Sequence, residues 1–250
     1  MQIMTAENFG TAKESIGYKG PPGGGKTTYA ASWPGPVEWC QFDVNQKTIR
    51  ELVLGGLDAR VYTFDTHTEF EDFARKARRR EFEASTIVVD TVDFASAMLI
   101  RDIQGTQIKM KIQDWGKVLT RLQTTYANLM SCTAPLDGRP SYNVVLCYHL
   151  IDVTDDSGGL MKVAPKIQGG FKDELEAYLD TVLYCSSAMK SVIEKQPGGG
   201  GKAVPSKVFE CHSVPPTPHH TCKGGGLPPI LDGSYPNLMK LWNRIEGEVG

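Results

Sequence analysis

A glycine-rich stretch near the start of the chain carries the residue types and spacing of a phosphate-binding loop. It fits the pattern G-x-x-x-x-G-K-[ST] and consists of Gly20, Pro21, Pro22, Gly23, Gly24, Gly25, Lys26, Thr27 and Thr28. Glycines let the backbone curl so that successive N–H groups point at phosphate oxygens. Lys26 is expected to reach the β- and γ-phosphates of a nucleotide, and the Thr27 hydroxyl to hold Mg²⁺. The sequence therefore predicts a nucleotide site between a strand and a helix.

A buried carboxylate is expected to complete the metal site. Residues 85–90 read Ser-Thr-Ile-Val-Val-Asp, a β-branched run that indicates a buried parallel strand ending at Asp90. In proteins with such a loop this acid holds Mg²⁺ directly or through water. We therefore predict that Thr27 and Asp90 form the metal-binding pair. Asp93 could add a second carboxylate, or could simply begin a helix.

Other strand ends also carry polar groups. The second, third and fourth predicted strands end at Asp43, Asp65 and Asp90, and the fifth is followed by His149. Ligands of open α/β sheets bind at the carboxyl ends of the strands. His149 would point towards the γ-phosphate if its strand neighbours the strand before the glycine-rich loop, and is otherwise a structural residue.

Composition limits the class of protein. The chain has 250 residues, of which 40 % are hydrophobic, enough for one sizeable core. The net charge of -2 means that any nucleic-acid surface must be local. Six scattered cysteines, several of them in apolar runs, indicate reduced thiols and a cytoplasmic location. No signal peptide or membrane-spanning run of ~18 apolar residues is evident, so we expect no membrane association.

The order of patterns predicts the fold. Strands alternate with helices over residues 14–186, which favours an α/β class with a mainly parallel sheet covered by helices on both faces. Residues 190–194 and 206–212 resemble the two strands of a β-hairpin with a glycine-rich tip. We predict one domain over residues 1–250, with a core over about 14–186 and the hairpin and tail over about 187–250.

Three segments outside the core pattern admit two interpretations each. Residues 101–117 are basic around Trp115, and residues 152–171 form a long polar stretch with lysines. Residues 101–117 could touch single-stranded nucleic acid or could be a surface helix with the Trp packed underneath. Residues 152–171 could be a functional loop or could be disordered. The tail could hold zinc, although its spacing matches no standard zinc pattern, or could be a loop with surface histidines. The residues concerned there are Cys211, His212, His219, His220 and Cys222.

The motifs together resemble a known family. Residues 20–28, Pro34-Gly35-Pro36-Val37 and residues 87–91 are similar to phage-type P-loop ATPases with a minimal RecA-like core, a group that includes single-strand annealing and recombination proteins. Asp114-Trp115-Gly116, His149, residues 165–169 and Leu227-Pro228-Pro229 also resemble that family. The resemblance spans roughly residues 15–242.

The resemblance implies a function. It implies a RecA-like fold that binds ATP and Mg²⁺, with single-stranded DNA as partner, in phage recombination or replication and hence in the host cytoplasm. It also implies a homo-oligomer, ring or filament, in which a basic residue of one subunit completes the next subunit's site. By this resemblance Lys223 would be that catalytic cation, and residues 105–117 and 152–170 would contain the DNA loops.

Two departures bear on catalysis. The family places a catalytic Glu two residues after the acid that ends the second strand, but here Asn45 follows Asp43 at that spacing. Asn can orient water but cannot accept its proton, so either Asp43 substitutes or hydrolysis is slow. The family tail carries an Arg after its Lys, whereas Lys223 is followed by three glycines, and a Lys cannot bind phosphate bidentately.

The predicted function is therefore an ATPase, slow and stimulated by single-stranded DNA. Three alternatives remain open on the sequence. One is a nucleotide-gated assembly module with little hydrolysis. Another is a P-loop kinase for a small acceptor, although residues 152–171 contain no arginine for a lid. The last is a nuclease with metal bound near the tail.

Overall fold

The computed structural model describes residues 13–43, 46–136, 139–195 and 201–249. The strands are β1 (Ser15–Lys19), β2 (Val37–Gln41), β3 (Ala59–Tyr62), β4 (Thr86–Asp90), β5 (Asn143–Tyr148), β6 (Leu150–Thr154), β7 (Leu160–Pro165), β8 (Thr181–Lys195), β9 (Gly201–His212) and β10 (Ile230–Leu231). The helices are α1 (Lys26–Ala30), α2 (Lys47–Leu54), α3 (His67–Arg78), α4 (Val92–Gln104), α5 (Ile112–Met130) and α6 (Tyr235–Val249), with 3₁₀ turns at Gly170–Asp173 and Leu175–Tyr178.

One eight-stranded sheet organises the chain, in the order β10-β9-β8-β1-β5-β4-β2-β3. The six strands from β8 to β3 run parallel, and β9 and β10 are antiparallel. Lys19 is in register with Tyr148, and Asp90 with both Cys147 and Gln41. The carboxyl ends of β1, β5, β4 and β2 therefore lie side by side, which is where the sequence predicts a ligand.

Helices cover both faces of the sheet, as predicted. Alternate residues of β4 point to opposite sides: Ile87 and Val89 pack with α3, α4 and α5, whereas Val88 packs with α1, α2 and α6. Because both faces are buried, the central strands β4 and β5 are largely apolar, which is the pattern expected of parallel strands. The α/β class and the C-terminal hairpin are confirmed.

The boundary predicted near residue 187 is absent. β8 runs unbroken from Thr181 to Lys195, pairing with β1 in its first part and with β9 from Tyr184, opposite His212, to Lys195, opposite Gly201. The polar Ser186 and Ser187 interrupt the apolar pattern, but antiparallel backbone pairing with β9 continues the strand beyond the end of β1. The hairpin is thus an extension of the core sheet.

The polar stretch over residues 152–171 is also more regular than predicted. β6 and β7 form a two-stranded antiparallel ribbon, and the Asp155 side chain accepts hydrogen bonds from the backbone N–H groups of Ser157 and Gly159 at its turn. Most β6 side chains are not buried, so the sequence lacks the alternation that would reveal a strand. The two 3₁₀ turns follow β7 and lead into β8. None of the helices within the described ranges is both long and apolar enough to cross a membrane.

Candidate nucleotide-binding site

A pocket of about 370 Å³ opens at the carboxyl ends of the central strands. It brings together most of the residues predicted from the sequence, namely Pro22, Gly23, Gly25, Lys26, Thr27, Thr28, Asp43, Asp90 and His149. Gly20, Pro21 and Gly24 shape the loop behind this lining. Asn45 lies outside the described residues.

Two glycines explain why the loop excludes side chains. A Cβ on Gly20, whose φ is +147°, would lie 2.2 Å from the backbone oxygen of Cys185 in β8. A Cβ on Gly25, with φ +96°, would lie 2.7 Å from the ring of Phe209 in β9. At these two positions the loop fits against the hairpin only as bare backbone, which lets the chain curl as an anion-binding loop requires.

Gly20→Ala is expected to destabilise the fold much more than Gly56→Ala. Gly56 also has positive φ, +101°, but a Cβ there would meet nothing within 4 Å. Gly56→Ala, the control, should therefore lose about 1 kcal/mol of stability from backbone strain alone. Gly20→Ala adds a clash with the backbone of β8, which costs about 1–3 kcal/mol more. Denaturant unfolding of both variants measures the difference, and equal losses of stability would contradict the close approach of β8.

Lys26 is buried within the loop. Its Nζ donates hydrogen bonds to the backbone oxygens of Gly20 (3.0 Å) and Pro21 (2.9 Å). Burial lowers the pKa of Lys26, and the carboxylates of Asp90 and Asp93 act in the opposite direction. A phosphate beside the ammonium would favour its charged form further.

Thr27 and Asp90 meet directly, as the metal prediction requires. The Thr27 hydroxyl donates to Asp90 Oδ2 over 2.9 Å. Burial raises the pKa of Asp90 to about 6 from an ordinary value of 3.8, although the Thr27 hydrogen bond and Lys26 oppose this rise. A hydroxyl and a carboxylate oxygen are the hard ligands that Mg²⁺ prefers.

The chemical types of these groups match those needed to bind a nucleotide together with Mg²⁺. The glycine-rich loop and the Lys26 ammonium would hold the phosphates, and Thr27 with Asp90 would hold the metal. Bound Mg²⁺ neutralises phosphate charge. The protein's own contribution is positioning, because its donors are fixed by burial and by packing of the loop against β8 and β9.

His149 is positioned by Asp93. The carboxylate of Asp93 lies 3.0 Å from His149 Nδ1 and accepts the His149 backbone N–H over 3.1 Å. Burial alone would raise the pKa of Asp93, but the hydrogen bonds with His149 lower it below its ordinary value. With Nδ1 engaged by an ionised carboxylate, Nε2 is the atom available to a ligand. Asp93 thus orients the histidine, and it does not line the nucleotide pocket.

Lys223 does not reach the nucleotide pocket of its own chain. Its backbone pairs with Val182 of β8, and its Nζ donates to the backbone oxygen of Leu179, the second residue before that strand. This oxygen lies at the amino end of β8, whereas the pocket lies at the carboxyl ends. The sequence could not reveal this placement because it depends on how the tail crosses the sheet. A role in a neighbouring subunit's site stays a prediction.

The hairpin supplies pocket residues that the sequence reading missed. Lys207 and Phe209 of β9 both line the pocket, and Lys207 Nζ lies 5.3 Å from the centre of the Phe209 ring. A Cβ on Gly23 would be 3.4 Å from the same Nζ. Their spacing of two along a strand places both on one face, but only the β8–β9 register shows that this face covers the loop. Gln41 and Thr48 were missed in the same way.

Lys207→Met is expected to weaken ATP binding about tenfold, because a charge-assisted contact with phosphate contributes roughly 1.5–3 kcal/mol. The matched control is Lys190→Met, which removes an exposed lysine of the same hairpin that pairs with Glu210. Binding of a fluorescent ATP analogue measures both variants. Equal affinities for the two would show that Lys207 makes no contact with the nucleotide.

The cysteines and histidines of the tail are dispersed. Cys211 is buried with its Sγ 3.5 Å from that of Cys185, His212 bonds Ser186, and His220 bonds Thr217. Among the residues the structure describes, no group of three or more His, Cys, Asp or Glu could hold a metal ion. All six cysteines are free thiols.

Comparisons with known proteins place this site in a family. A family model described as an AAA domain matches residues 12–220. No curated protein matches the sequence. One similar solved structure is that of a prototypical ATPase from the type III secretion system of pathogenic bacteria, with 16 % identity and a TM-score of 0.46. The match covers 69 % of this chain and 52 % of that one, so this chain spans about half its length. Since the family model covers most of the sequence, the chain belongs to the AAA-domain family of P-loop NTPases.

Proposed function

We propose that this protein hydrolyses ATP with Mg²⁺ and binds single-stranded DNA, as a RecA-like protein of phage recombination or replication. The AAA-domain match and the Lys26, Thr27 and Asp90 geometry support the ATP half of the proposal. The phage setting is supported only by the resemblance of the sequence motifs.

The proposed DNA binding is supported by a contact between two segments that are distant in the sequence. Residues 105–117 and 152–170 are the predicted DNA loops. A methyl group placed on Gly169 would lie 3.5 Å from the Trp115 ring, and one on Gly170 would lie 3.8 Å from Leu119. The two segments therefore meet where Gly169 lies beside Trp115, and we treat their exposed side chains as one surface. This surface adjoins the nucleotide site, because Lys166 N–H donates to the backbone oxygen of His149 over 2.8 Å.

Exposed side chains on this surface suit a single strand. Ile108 and Ile112 are 94 % and 91 % exposed, and Lys109 between them is also exposed. Within the described part of the chain, neither Lys109 nor Lys166 forms an ion pair. Lysines that contact phosphates are one element of single-strand binding, and the exposed isoleucines add apolar surface beside them.

Fluorescence anisotropy with a labelled oligonucleotide, with and without a non-hydrolysable ATP analogue, tests the proposal. We expect the affinity for DNA to fall as the salt concentration rises. The double variant Lys109→Gln with Lys166→Gln should reduce the slope of log affinity against log salt concentration by about 0.7 per lysine removed. Lys76→Gln with Lys240→Gln is the control, because these exposed lysines lie on α3 and α6. Absence of binding, together with ATP turnover that DNA leaves unchanged, would overturn the DNA half.

We further infer that the protein works as a homo-oligomer, a ring or a filament. The inference is supported by the family resemblance, in which subunits complete each other's sites. Light scattering after size-exclusion chromatography, with the ATP analogue and oligonucleotide, is expected to show assembly. A monomer under all conditions would contradict it.

A further inference from the structure

A second pocket lies beside the nucleotide site, between the first turns of α4 and the segment that follows β7. Its volume is about 300 Å³, at the lower end of the ~300–1,000 Å³ range of small-molecule sites. Its walls include Phe94, Ser96, Ile100, Ile151, Lys166 and Gln168. A mainly apolar cavity with a few polar groups is typical of a ligand site.

A buried hydroxyl in this pocket lacks a protein partner. Ser96 is 1 % exposed, and among the described residues its Oγ forms no hydrogen bond. Buried polar groups are nearly always satisfied, so this atom indicates that a ligand edge or an ordered water completes the site. Because a hydroxyl both donates and accepts, it can match either kind of group on that edge.

The other polar and aromatic groups narrow the ligand class. Phe94 is 38 % exposed and offers a ring for stacking. Lys166 and Gln168 are exposed at the rim and offer an ammonium and an amide. A flat ring with hydrogen-bonding edges, attached to a phosphate, satisfies all of these groups. Those are the properties of one nucleotide of a single strand.

Residues in the wall of this pocket also fix the position of His149. Asp93 lines the pocket, and its carboxylate contacts both the backbone N–H and the Nδ1 atom of His149. The Phe94 ring is edge-to-face with the His149 ring, with centres 6.4 Å apart. Lys166 N–H donates to the His149 backbone oxygen. A ligand in the pocket would therefore touch the residues that set the position of His149 in the nucleotide site.

We propose that this pocket takes one base of the bound single strand, stacked on Phe94 with its edge on Ser96 and Gln168, and that its occupancy is relayed to His149. The proposal rests on the proposed DNA-binding function and deepens it. Phe94 is the stacking residue, and Asp93 and Phe94 are positioning residues for His149.

The test compares a thymidine oligonucleotide with an abasic strand of equal length. We expect the wild-type protein to bind the base-bearing strand about tenfold tighter, and ATP turnover to rise only with that strand. Phe94→Leu should lose most of this preference and should lose the stimulation. The control Phe64→Leu changes a partly buried aromatic residue beyond β3 and should keep the preference.

Ser96→Ala provides a second variant that removes only the hydroxyl. Its affinity for the base-bearing strand should fall by a few-fold, and its affinity for the abasic strand should not change. A base preference that both Phe94→Leu and Ser96→Ala retain would overturn the pocket assignment and leave DNA binding intact. If the wild-type protein binds neither strand, the proposed DNA function and this inference fail together.

Discussion

Lys26→Ala is expected to lower ATP turnover by at least about 100-fold, the scale of removing one preorganised charge contact to a transition state. Lys26 is the buried cation of the loop, and its Nζ is held at the carbonyls of Gly20 and Pro21. Because burial lowers the pKa of Lys26, removing the buried charge offsets the loss of its two hydrogen bonds, and we expect only a small change in stability. A coupled ATPase assay and thermal unfolding measure the two effects.

The control for this prediction is Lys76→Ala, which removes an exposed lysine of α3. It should leave turnover within a factor of two. If Lys26→Ala retained turnover within a few-fold of the wild type, the glycine-rich loop would not be the hydrolytic site.

Asp90→Asn is expected to remove Mg²⁺-dependent turnover and at the same time to stabilise the nucleotide-free protein. Asn lacks the charge that holds a divalent cation, but its side-chain oxygen can still accept the Thr27 hydrogen bond. The wild-type carboxylate is ionised at pH 7.5 in a buried position, where its pKa is raised to about 6. Replacing it should therefore add up to about 3 kcal/mol to the free energy of unfolding at that pH.

The pH dependence provides the control for this gain. The native protein keeps the Asp90 proton up to about pH 6, whereas the unfolded chain loses it near 3.8. Since the native state binds more protons between these values, the Asp90 contribution to stability falls as pH rises through that window. The advantage of Asp90→Asn should thus be full above pH 7 and vanish near pH 4. If Asp90→Asn were less stable than the wild type at pH 7.5, the buried Asp90 carboxylate would not be a source of instability.

Local signals predicted the centre of the site well. The strand, glycine-rich loop and helix over β1 and α1 are consecutive in the chain, so their arrangement follows from short-range geometry. Asp90 and His149 each follow an apolar run, and parallel pairing brings such strand ends to one edge. The sequence therefore located these groups without knowledge of the full topology.

Long-range pairing accounts for what the sequence did not reveal. Lys207 reaches the pocket only because β9 pairs with β8, which itself pairs with β1. Lys223 was assigned to catalysis by resemblance, yet its ammonium binds the carbonyl of Leu179. The pairing of Asp93 with His149 likewise joins residues far apart in the chain. None of these contacts has a local pattern, since each depends on register between distant segments.

The most direct test of the account is ATP turnover by the purified wild-type protein, measured with Mg²⁺ and with or without single-stranded DNA. We expect Mg²⁺-dependent turnover that rises with DNA and saturates. Turnover that is independent of Mg²⁺, or absence of both nucleotide binding and turnover, would contradict the assignment of residues 20–28 and Asp90 as a working nucleotide site.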